Sequence, residues 1–534
     1  MTRRAIFIAS ILIVAAGALA FRLPRLDLRP LHGDEAVNAF KAGTLFDRGE
    51  HRYDPHEYHG PTLYYGTLPC LWLSGAKSFA ESTEAAYRLV PVACGVGLIL
   101  LLLLVGDGLG RPAAIVAGVL TAVSPAMVFY SRYYIHEMLL VFFTFAAIAA
   151  GWRYAWSRKA GWAVAAGAAL GLMFATKETW VFAFAAMGLA IVAKLGWRRW
   201  WGYPINVRAV VKGRHLALAG GVGLVVSFVL FSSFFTNWRG PLDSVLAYAN
   251  YLKRSDGAGL HDHPWNYYLR MLLFTQNARG PWWSEALIMA LAAVGFVAVM
   301  WRGSVPGATT PLARFIAFYT LFLTAIYALI PYKTPWCLLG FLQGMTLLAG
   351  VGAVVLVRLV PTHALKAVAV LLLAAGGWQL ASQAYRASFR FCVDRRNPYV
   401  YAHTSPDLLN VAKRAEEMAT VSPEGHDLVI KVISPEMDYW PLPWYLRRFR
   451  RVGYWNAPPD APDAPMLIAS ADVQEALDKK LHETYERQIF GLRPTVHLVV
   501  YIREDLWREF IRKQQEKAGI RVSLKRLPLP PPAP

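Results

Sequence analysis

Long stretches without Asp, Glu, Lys or Arg recur along the whole chain. A helix needs about 20 mainly apolar residues to cross the hydrocarbon core of a membrane. The short runs 138–152 and 179–193 continue in apolar or aromatic sequence beyond Arg153 and Lys194, which can snorkel to the interface. The pattern predicts a polytopic α-helical membrane protein with about 11 transmembrane helices. They lie at residues 5–21, 89–106, 112–131, 138–152, 160–176, 179–193, 215–238, 286–301, 315–332, 334–357 and 367–385.

The segment between the first two runs needs its own interpretation, because residues 60–76 also lack charge. Counting them as a span would put the basic link 194–214 on the side opposite the N-terminal arginines, against the positive-inside rule. Their glycines, prolines and aromatic residues suit a helix that lies in the interface. We therefore expect one large external loop, 24–88, with surface helices at about 34–48 and 62–76.

The composition changes near Tyr385, where charges become frequent and short strand-like runs begin. Residues 428–433 and 496–501 have strand patterns, and helical patterns fit about 406–419, 472–487 and 504–517. We predict a transmembrane domain at 1–385 and a soluble α/β domain at 386–526. A proline-rich, disordered tail at 527–534 follows.

Composition supports a membrane protein, since 56% of the 534 residues are hydrophobic and the mean hydropathy is +0.33. The net charge of +20 sits largely in short loops, where it sets orientation and does not indicate nucleic acid. With the N-terminus inside, we expect a multi-pass protein of the cytoplasmic (inner) membrane whose C-terminal domain is extracytoplasmic. The four cysteines have no paired spacing and predict no disulfide framework.

Ionisable residues gather on the predicted external face, and adjacent acids follow the first run. Asp34 and Glu35 lie beside His32. Ionisable groups at a membrane domain are costly and usually functional, so the pair could supply a general base or a metal ligand. The alternative interpretation is a helix cap, because acids in a first turn meet the helix dipole favourably.

Five strings in fixed order resemble the GT-C membrane glycosyltransferases. Within that class they are similar to the protein O-mannosyltransferase and lipid A aminoarabinose transferase superfamily. The similarity is greatest to the flippase-activity-associated membrane protein family, and it covers nearly the full chain. The strings are His32–Ala36, Tyr53–Pro55 with His59–Pro61, Ser131–Glu137, Ala175–Glu178 and Pro331–Trp336.

The resemblance implies an inverting transferase that uses a polyprenyl-phosphate sugar on the outer face, with a protein, lipid or glycan as acceptor. It implies Asp34 as general base, with Glu35 and Glu137 as further catalytic residues. Arg132, Lys177 and Lys333 are candidates for the donor phosphate, since arginine suits bidentate phosphate contacts and lysine acts as a point charge. We expect His59, Tyr64 and Tyr332 at the substrate. Asp34, His59, His136 and Glu137 could hold a divalent metal, since the superfamily has metal-dependent and metal-independent members.

Several alternatives stay open at this stage. The basic residues at span ends could simply snorkel, and His136 with Glu137 could cap a helix. The string Asp438–Tyr445 is either a docking surface for glycan or part of the domain core. For the whole protein, the alternatives are a transporter or flippase for a lipid-linked sugar and a non-catalytic component of envelope glycan assembly. Apart from donor and acceptor, membrane lipid is the expected partner.

Overall fold

The computed structural model separates into two compact units. The first contains Met1–Arg29 and Asn38–Tyr401, and the second contains Pro30–Val37 and Ala402–Pro534. The predicted tail at 527–534 lies outside the described residues. Those residues are 2–56, 59–202, 211–254, 261–301 and 311–518.

Helices make up nearly all of the described part of the first unit. The only strands described there are the short antiparallel pair β1 (Thr275–Gln276) and β2 (Trp282–Trp283). The helices are α1 (Arg3–Arg22), α2 (Gly33–Arg48), α3 (Thr62–Ser74), α4 (Glu84–Leu109), α5 (Arg111–Val123), α6 (Pro125–Tyr130), α7 (Glu137–Ser157), α8 (Ala160–Phe174), α9 (Trp180–Trp200), α10 (Gly213–Phe231), α11 (Gly240–Arg254), α12 (Tyr267–Leu273), α13 (Ala286–Met300), α14 (Pro311–Leu329), α15 (Leu339–Leu359) and α16 (His363–Tyr385). The first turn of α2, up to Val37, belongs to the second unit.

Every charge-free run of the sequence lies mainly in helix, although α10 ends at Phe231 and leaves 232–238 outside it. Among the described residues, 8 helices are long and apolar enough to cross a membrane. Three further apolar helices, α5, α8 and α13, have 13, 15 and 15 residues. They are shorter than the roughly 20 residues that a perpendicular crossing needs. The polytopic helical class is confirmed, and the count of 11 crossings stays a prediction.

One predicted span, 112–131, is interrupted. Helix α5 ends at Val123 and α6 begins at Pro125, with Ser124 between them. Proline has no N–H to continue the helical ladder, and the Ser124 hydroxyl caps the new helix by accepting from the Met127 N–H at 3.3 Å. The prediction of one continuous helix here is wrong. The two helices expected at about 34–48 and 62–76 are present as α2 and α3, and their location at the membrane surface stays a prediction.

Close approach of small residues packs the short helix α13 against α15. A Cβ on Gly352 would overlap the Leu291 carbonyl, and one on Gly295 would overlap the Leu348 carbonyl. Membrane helices associate through such backbone approaches, because lipid provides little hydrophobic drive between them. The two glycines therefore hold the backbones together.

The second unit contains a five-stranded sheet in the order β4-β3-β5-β7-β6. Strand β3 runs parallel to β4 and β5, and β7 runs antiparallel to β5 and β6. The strands are β3 (Ile430–Ile433), β4 (Val452–Trp455), β5 (Met466–Ser470), β6 (Tyr485–Arg493) and β7 (Val496–Arg503). The helices are α17 (Leu408–Val421), α18 (Leu442–Tyr445), α19 (Gln474–Asp478) and α20 (Glu504–Lys517).

Apolar side chains cover both faces of this sheet. Val411 of α17 and Phe510 of α20 belong to the larger cluster, together with Ile468 of β5. The predicted α/β class is confirmed. The helix predicted at 472–487 is wrong beyond Asp478, because Tyr485–Arg493 pairs with β7 as a strand. The hydrogen bonds between β6 and β7 therefore outweigh the local helical pattern at this position.

We expect Gly352→Ala to destabilise the first unit by about 1–3 kcal/mol, because an added methyl group overpacks the contact between α13 and α15. The apparent Tm in detergent should fall. Gly377→Ala is the matched control, since a Cβ at Gly377 meets nothing within 4 Å. Equal Tm values for the two variants would contradict this account of the packing.

Candidate active site

Main-chain hydrogen bonds join two motifs that are remote in sequence. The Gly60 N–H donates to the Thr176 carbonyl at 3.0 Å, and the Thr62 N–H donates to the Ala175 carbonyl at 3.1 Å. The Thr62 hydroxyl also donates to the Thr176 hydroxyl at 2.8 Å. A Cβ on Gly60 would overlap the Ala175 carbonyl. Only glycine permits this approach, which explains the glycine at position 60.

This junction holds the Lys177–Glu178 link in a buried position. The Lys177 ammonium donates to the Glu137 carboxylate, and the two residues are 7% and 6% exposed. Glu137 is the first residue of α7, where the helix dipole favours an anion. Burying either charge alone would be costly, so each stabilises the other in place.

Glu178 is a site residue that the sequence analysis did not select. Its carboxylate accepts from the His59 Nδ1–H at 3.1 Å, and the Tyr53 hydroxyl lies 3.5 Å from its other oxygen. Burial raises the pKa of Tyr53 above its ordinary value, and Glu178 adds to this effect. The sequence signal for Glu178 was its position beside Lys177 in the same short charged link.

His136 lies beside this cluster and is fully buried. Its Nε2–H donates to the Gly60 carbonyl at 3.1 Å, and its ring is 4.8 Å from the His59 ring. Burial holds the pKa of His136 well below its ordinary value, and His59 and Lys177 lower it further. The imidazole is therefore neutral at physiological pH. Its Nδ1 contacts no polar group among the described residues.

Tyr64 packs against the His136 side of this cluster. Its ring stands edge-on to His136 at 5.5 Å, and its hydroxyl donates to the Asn38 amide oxygen at 3.2 Å. The side chain is 1% exposed. Tyr64 thus lies within the cluster that contains His136 and His59, but its hydroxyl is engaged inside the protein.

Glu137 also lines a pocket in the first unit. The pocket has an empty volume of about 380 Å³, which includes its open mouth. Thr179 and Tyr327 form part of its wall, together with Trp336 of the fifth motif and the following residue, Cys337. The second, third, fourth and fifth motifs of the sequence therefore all reach this region of the first unit.

Lys333 and Tyr332 of the fifth motif occupy different environments. Lys333 is 1% exposed, and its ammonium donates to the carbonyls of His263 and Ile330. Burial lowers the pKa of this ammonium. Tyr332 is 53% exposed and its ring lies 4.8 Å from the ring of His261. The structure thus gives Tyr332 access to a ligand, whereas Lys333 is held by main-chain carbonyls.

Arg132 is occupied by the link that follows α1. Its guanidinium donates to the carbonyls of Arg22, Pro24 at 2.8 Å and Arg25 at 2.9 Å. It also packs on the Phe389 ring at 4.4 Å. Burial lowers the pKa of Arg132 to about 9, with neighbouring arginines adding to the effect. These contacts give Arg132 a structural role, which differs from the predicted phosphate contact.

Asp34 and Glu35 belong to the second unit and form the first turn of α2. The Glu35 carboxylate accepts from the His32 N–H at 3.0 Å, as in a capping box, and Glu35 is fully buried. For Glu35 the structure thus favours the helix-cap interpretation. The Asp34 side chain is 57% exposed, which leaves its carboxylate accessible to a reacting group.

Comparisons with known proteins identify the fold. The family described as "Dolichyl-phosphate-mannose-protein mannosyltransferase" matches residues 63–238. The structure of ArnT from Cupriavidus metallidurans bound to undecaprenyl phosphate is similar with a TM-score of 0.60 and 17% identity, covering 93% of this chain and 98% of that one. The chain has the GT-C fold. The comparison with curated proteins found no match to this chain.

A second solved structure supports this assignment. It is the oligosaccharyltransferase AglB from Archaeoglobus fulgidus in complex with an inhibitory peptide and a dolichol-phosphate. The TM-score is 0.52 at 12% identity, covering 95% of this chain and 77% of that one. The predicted resemblance is confirmed at the level of the GT-C superfamily. The narrower similarity to the flippase-activity-associated family stays a prediction.

Three of the four predicted metal ligands, His59, His136 and Glu137, lie in the cluster around Lys177. Within the part of the chain that the structure describes, no three His, Cys, Asp or Glu side chains are grouped to hold a metal ion. His59 instead contacts Glu178, and Glu137 contacts Lys177. The metal set of Asp34, His59, His136 and Glu137 stays a prediction.

We expect Lys177→Met to destabilise the first unit by about 3–5 kcal/mol, because it leaves the Glu137 carboxylate buried without its partner. Thermal denaturation in detergent should show this loss, and Lys177→Met with Glu137→Gln should recover most of it. Lys479→Met is the control, because its pair with Glu475 is exposed and should contribute little. Additive losses in the double variant would contradict this description of the pair.

Proposed function

We propose that this GT-C chain transfers a sugar from a polyprenyl-phosphate donor to an extracytoplasmic acceptor. The observation that supports this most is the buried cluster around Lys177, which four motifs assemble within a GT-C fold. The similar ArnT structure contains undecaprenyl phosphate, which is the lipid phosphate released from such a donor. The family match over residues 63–238 names a dolichyl-phosphate-linked sugar as donor.

In the proposed reaction, an acceptor hydroxyl or amine attacks the anomeric carbon with inversion. The acceptor's proton passes to the Asp34 carboxylate as the new glycosidic bond forms. The bond between the anomeric carbon and the phosphate oxygen breaks, and the electron pair leaves with the lipid phosphate. Asp34 is suited to this role because its carboxylate is exposed while neighbouring Glu35 is engaged as a cap.

Lys177 is the proposed cation for the donor phosphate. An ammonium is a point charge that can contact a phosphate oxygen without a fixed geometry. Lys177 can turn from Glu137 to an arriving anion, which leaves Glu137 to accept a hydroxyl of the sugar. Lys333 is a secondary candidate in this proposal, since its ammonium would have to leave two carbonyls to bind phosphate.

His59 and Tyr332 are the proposed sugar-binding residues. The His59 side chain is 31% exposed, and Glu178 fixes its orientation from the buried side. Its Nε2 is thereby free to accept from a sugar hydroxyl while Nδ1–H donates to the carboxylate. Tyr332 is similarly accessible, and its ring could stack on a sugar face.

The isoprenoid chain of the donor is proposed to lie in an apolar groove of the first unit. The groove has an empty volume of about 950 Å³ and is formed by the end of α8 with α10 and α11. Phe231 lines it and also contacts the Tyr53 ring at 4.9 Å. Tyr53 in turn contacts Glu178. The groove therefore approaches the charged cluster from the lipid side.

The proposal also gives an orientation of the protein in the membrane. We place the Lys177 cluster and the C-terminal unit on the extracytoplasmic side, with the N-terminus in the cytoplasm. The support is the charge distribution, since Arg3 and Arg4 and the basic link 194–214 would then share the cytoplasmic side. The protein would be a multi-pass component of the cytoplasmic membrane.

We expect Asp34→Asn to lower turnover about 10²- to 10⁴-fold, which is the usual contribution of a general base. The assay uses the full chain in nanodiscs with mannosyl-phosphoundecaprenol as donor probe and an envelope extract of the source cells as acceptor pool. Asp243→Asn is a control acid on α11 that no step of the mechanism uses. Full turnover of folded Asp34→Asn would remove Asp34 as base.

The same nanodisc assay tests whether the isoprenoid chain of the donor lies in the groove. Val225→Trp should raise the KM for the lipid donor and leave kcat unchanged, because the larger side chain fills space needed by the isoprenoid and not by the sugar. Val297→Trp on α13 is the control, as Val297 is similarly exposed but does not line the groove. Equal KM values for the two variants would place the isoprenoid elsewhere.

A further inference from the structure

The segment that carries Asp34 is held by residues of the C-terminal unit. The Leu31 N–H donates to the Tyr445 hydroxyl at 2.8 Å, although the two residues are 414 positions apart. The Leu31 carbonyl accepts from the Thr404 hydroxyl at 2.6 Å. Both main-chain polar groups of Leu31 are therefore satisfied by side chains of this unit.

The next residues of the segment are also in contact with that unit. The His32 ring stacks on the His403 ring, with centroids 5.9 Å apart and planes inclined by 13°. A Cβ on Gly33 would lie 3.8 Å from the Trp440 Cβ, which is ordinary van der Waals contact. Pro30–Val37 consequently groups with Ala402–Pro534 and not with the residues that flank it in sequence.

Two local hydrogen bonds connect Asp34 and Glu35 to His32, so the first turn of α2 is fixed relative to the held residues. The Asp34 N–H donates to the His32 Nδ1 at 3.1 Å, and the His32 N–H donates to the Glu35 carboxylate at 3.0 Å. His32 is 6% exposed and Leu31 is fully buried, whereas the Asp34 side chain is 57% exposed. The segment thus presents one accessible carboxylate on a buried, hydrogen-bonded frame.

The string Asp438–Tyr445 supplies much of this frame. Leu442 and Trp444 are fully buried in the second unit, and Asp438 pairs with Arg493. The string is therefore part of the domain core, which decides between the two interpretations that the sequence left open. At its end, in α18, Tyr445 directs its hydroxyl to Leu31.

We infer that Tyr445 and Thr404 are positioning residues for the Asp34 carboxylate, and that holding this segment is a function of the C-terminal unit. The inference rests on the proposed function, in which Asp34 is the base. A carboxylate that accepts a proton in the transition state must keep its place relative to the reacting atoms, and a displacement of about 1 Å can reduce the rate 10²-fold. Two side-chain hydrogen bonds to one residue, Leu31, restrict such a displacement.

The test measures the Tyr445→Phe and Thr404→Val variants of the full chain in nanodiscs. Each removes one hydroxyl with little change in volume, so each should lower kcat about 10- to 100-fold with the KM for the mannosyl donor unchanged. Amide hydrogen exchange in residues 30–37 should become faster. Thr404→Ser restores a hydroxyl and should restore kcat.

Tyr501→Phe is the matched control in the same unit. It also removes a tyrosine hydroxyl that donates a hydrogen bond, here to Asp478 at 2.9 Å. Tyr501→Phe should leave kcat and the exchange of residues 30–37 unchanged. A loss of kcat in Tyr501→Phe as large as in Tyr445→Phe would overturn the inference, because the effect would then be general destabilisation of the unit.

Combination with Asp34→Asn separates this inference from the proposed function. If Tyr445 acts through Asp34, Tyr445→Phe should not lower the residual turnover of Asp34→Asn any further. A full additional loss in that background would overturn the positioning role while leaving Asp34 as base. Full turnover of Asp34→Asn alone would instead overturn the proposed function. Unchanged exchange of residues 30–37 in both single variants would show that the two hydroxyls do not hold the segment.

Discussion

A lysine and a glutamate that are buried together determine the candidate site of the first unit. Lys177 and Glu137 are each less than a tenth exposed, so neither charge is stable there without the other. In the proposed function the same pair allows ligand binding, because Lys177 exchanges the Glu137 carboxylate for the anionic phosphate of the donor.

The pair exists because two distant segments are held backbone to backbone. Gly60 permits the approach to Ala175, and the resulting hydrogen bonds fix the link that follows. Lys177 and Glu178 are neighbours in this link, yet they bind different partners: one contacts Glu137 and the other contacts His59. A single junction therefore orders both the Lys177 ammonium and the His59 imidazole, which are the groups proposed to bind the phosphate and the sugar.

Sequence reasoning predicted the elements well and the contacts between them only in part. Charge-free runs mark helices because lipid requires apolar sequence, and each run is mainly helical. The same reasoning missed the break at Ser124 and extended a helix past Asp478. In the first case a local cap interrupts the helix, and in the second a distant strand competes for the backbone.

In the candidate site, too, the residues could be predicted from the sequence but most of their contacts could not. Glu137, Lys177 and His59 stood out as charged or imidazole groups beside apolar runs, and the structure brings them into one cluster. Glu178 was missed, because nothing in its local sequence separates a buried partner of histidine from a solvated acid. Arg132 was expected at phosphate, but its guanidinium binds main-chain carbonyls of the link after α1. Such partners depend on tertiary structure and cannot be derived from spacing.

The position of a bound lipid phosphate tests the central claim most directly. An experimental structure of the full chain in nanodiscs with undecaprenyl phosphate would locate it. We predict a phosphate oxygen within hydrogen-bond distance of the Lys177 Nζ, with the isoprenoid along the groove that Phe231 lines. Phosphate bound away from Lys177, with the Lys177–Glu137 pair unchanged, would contradict the account.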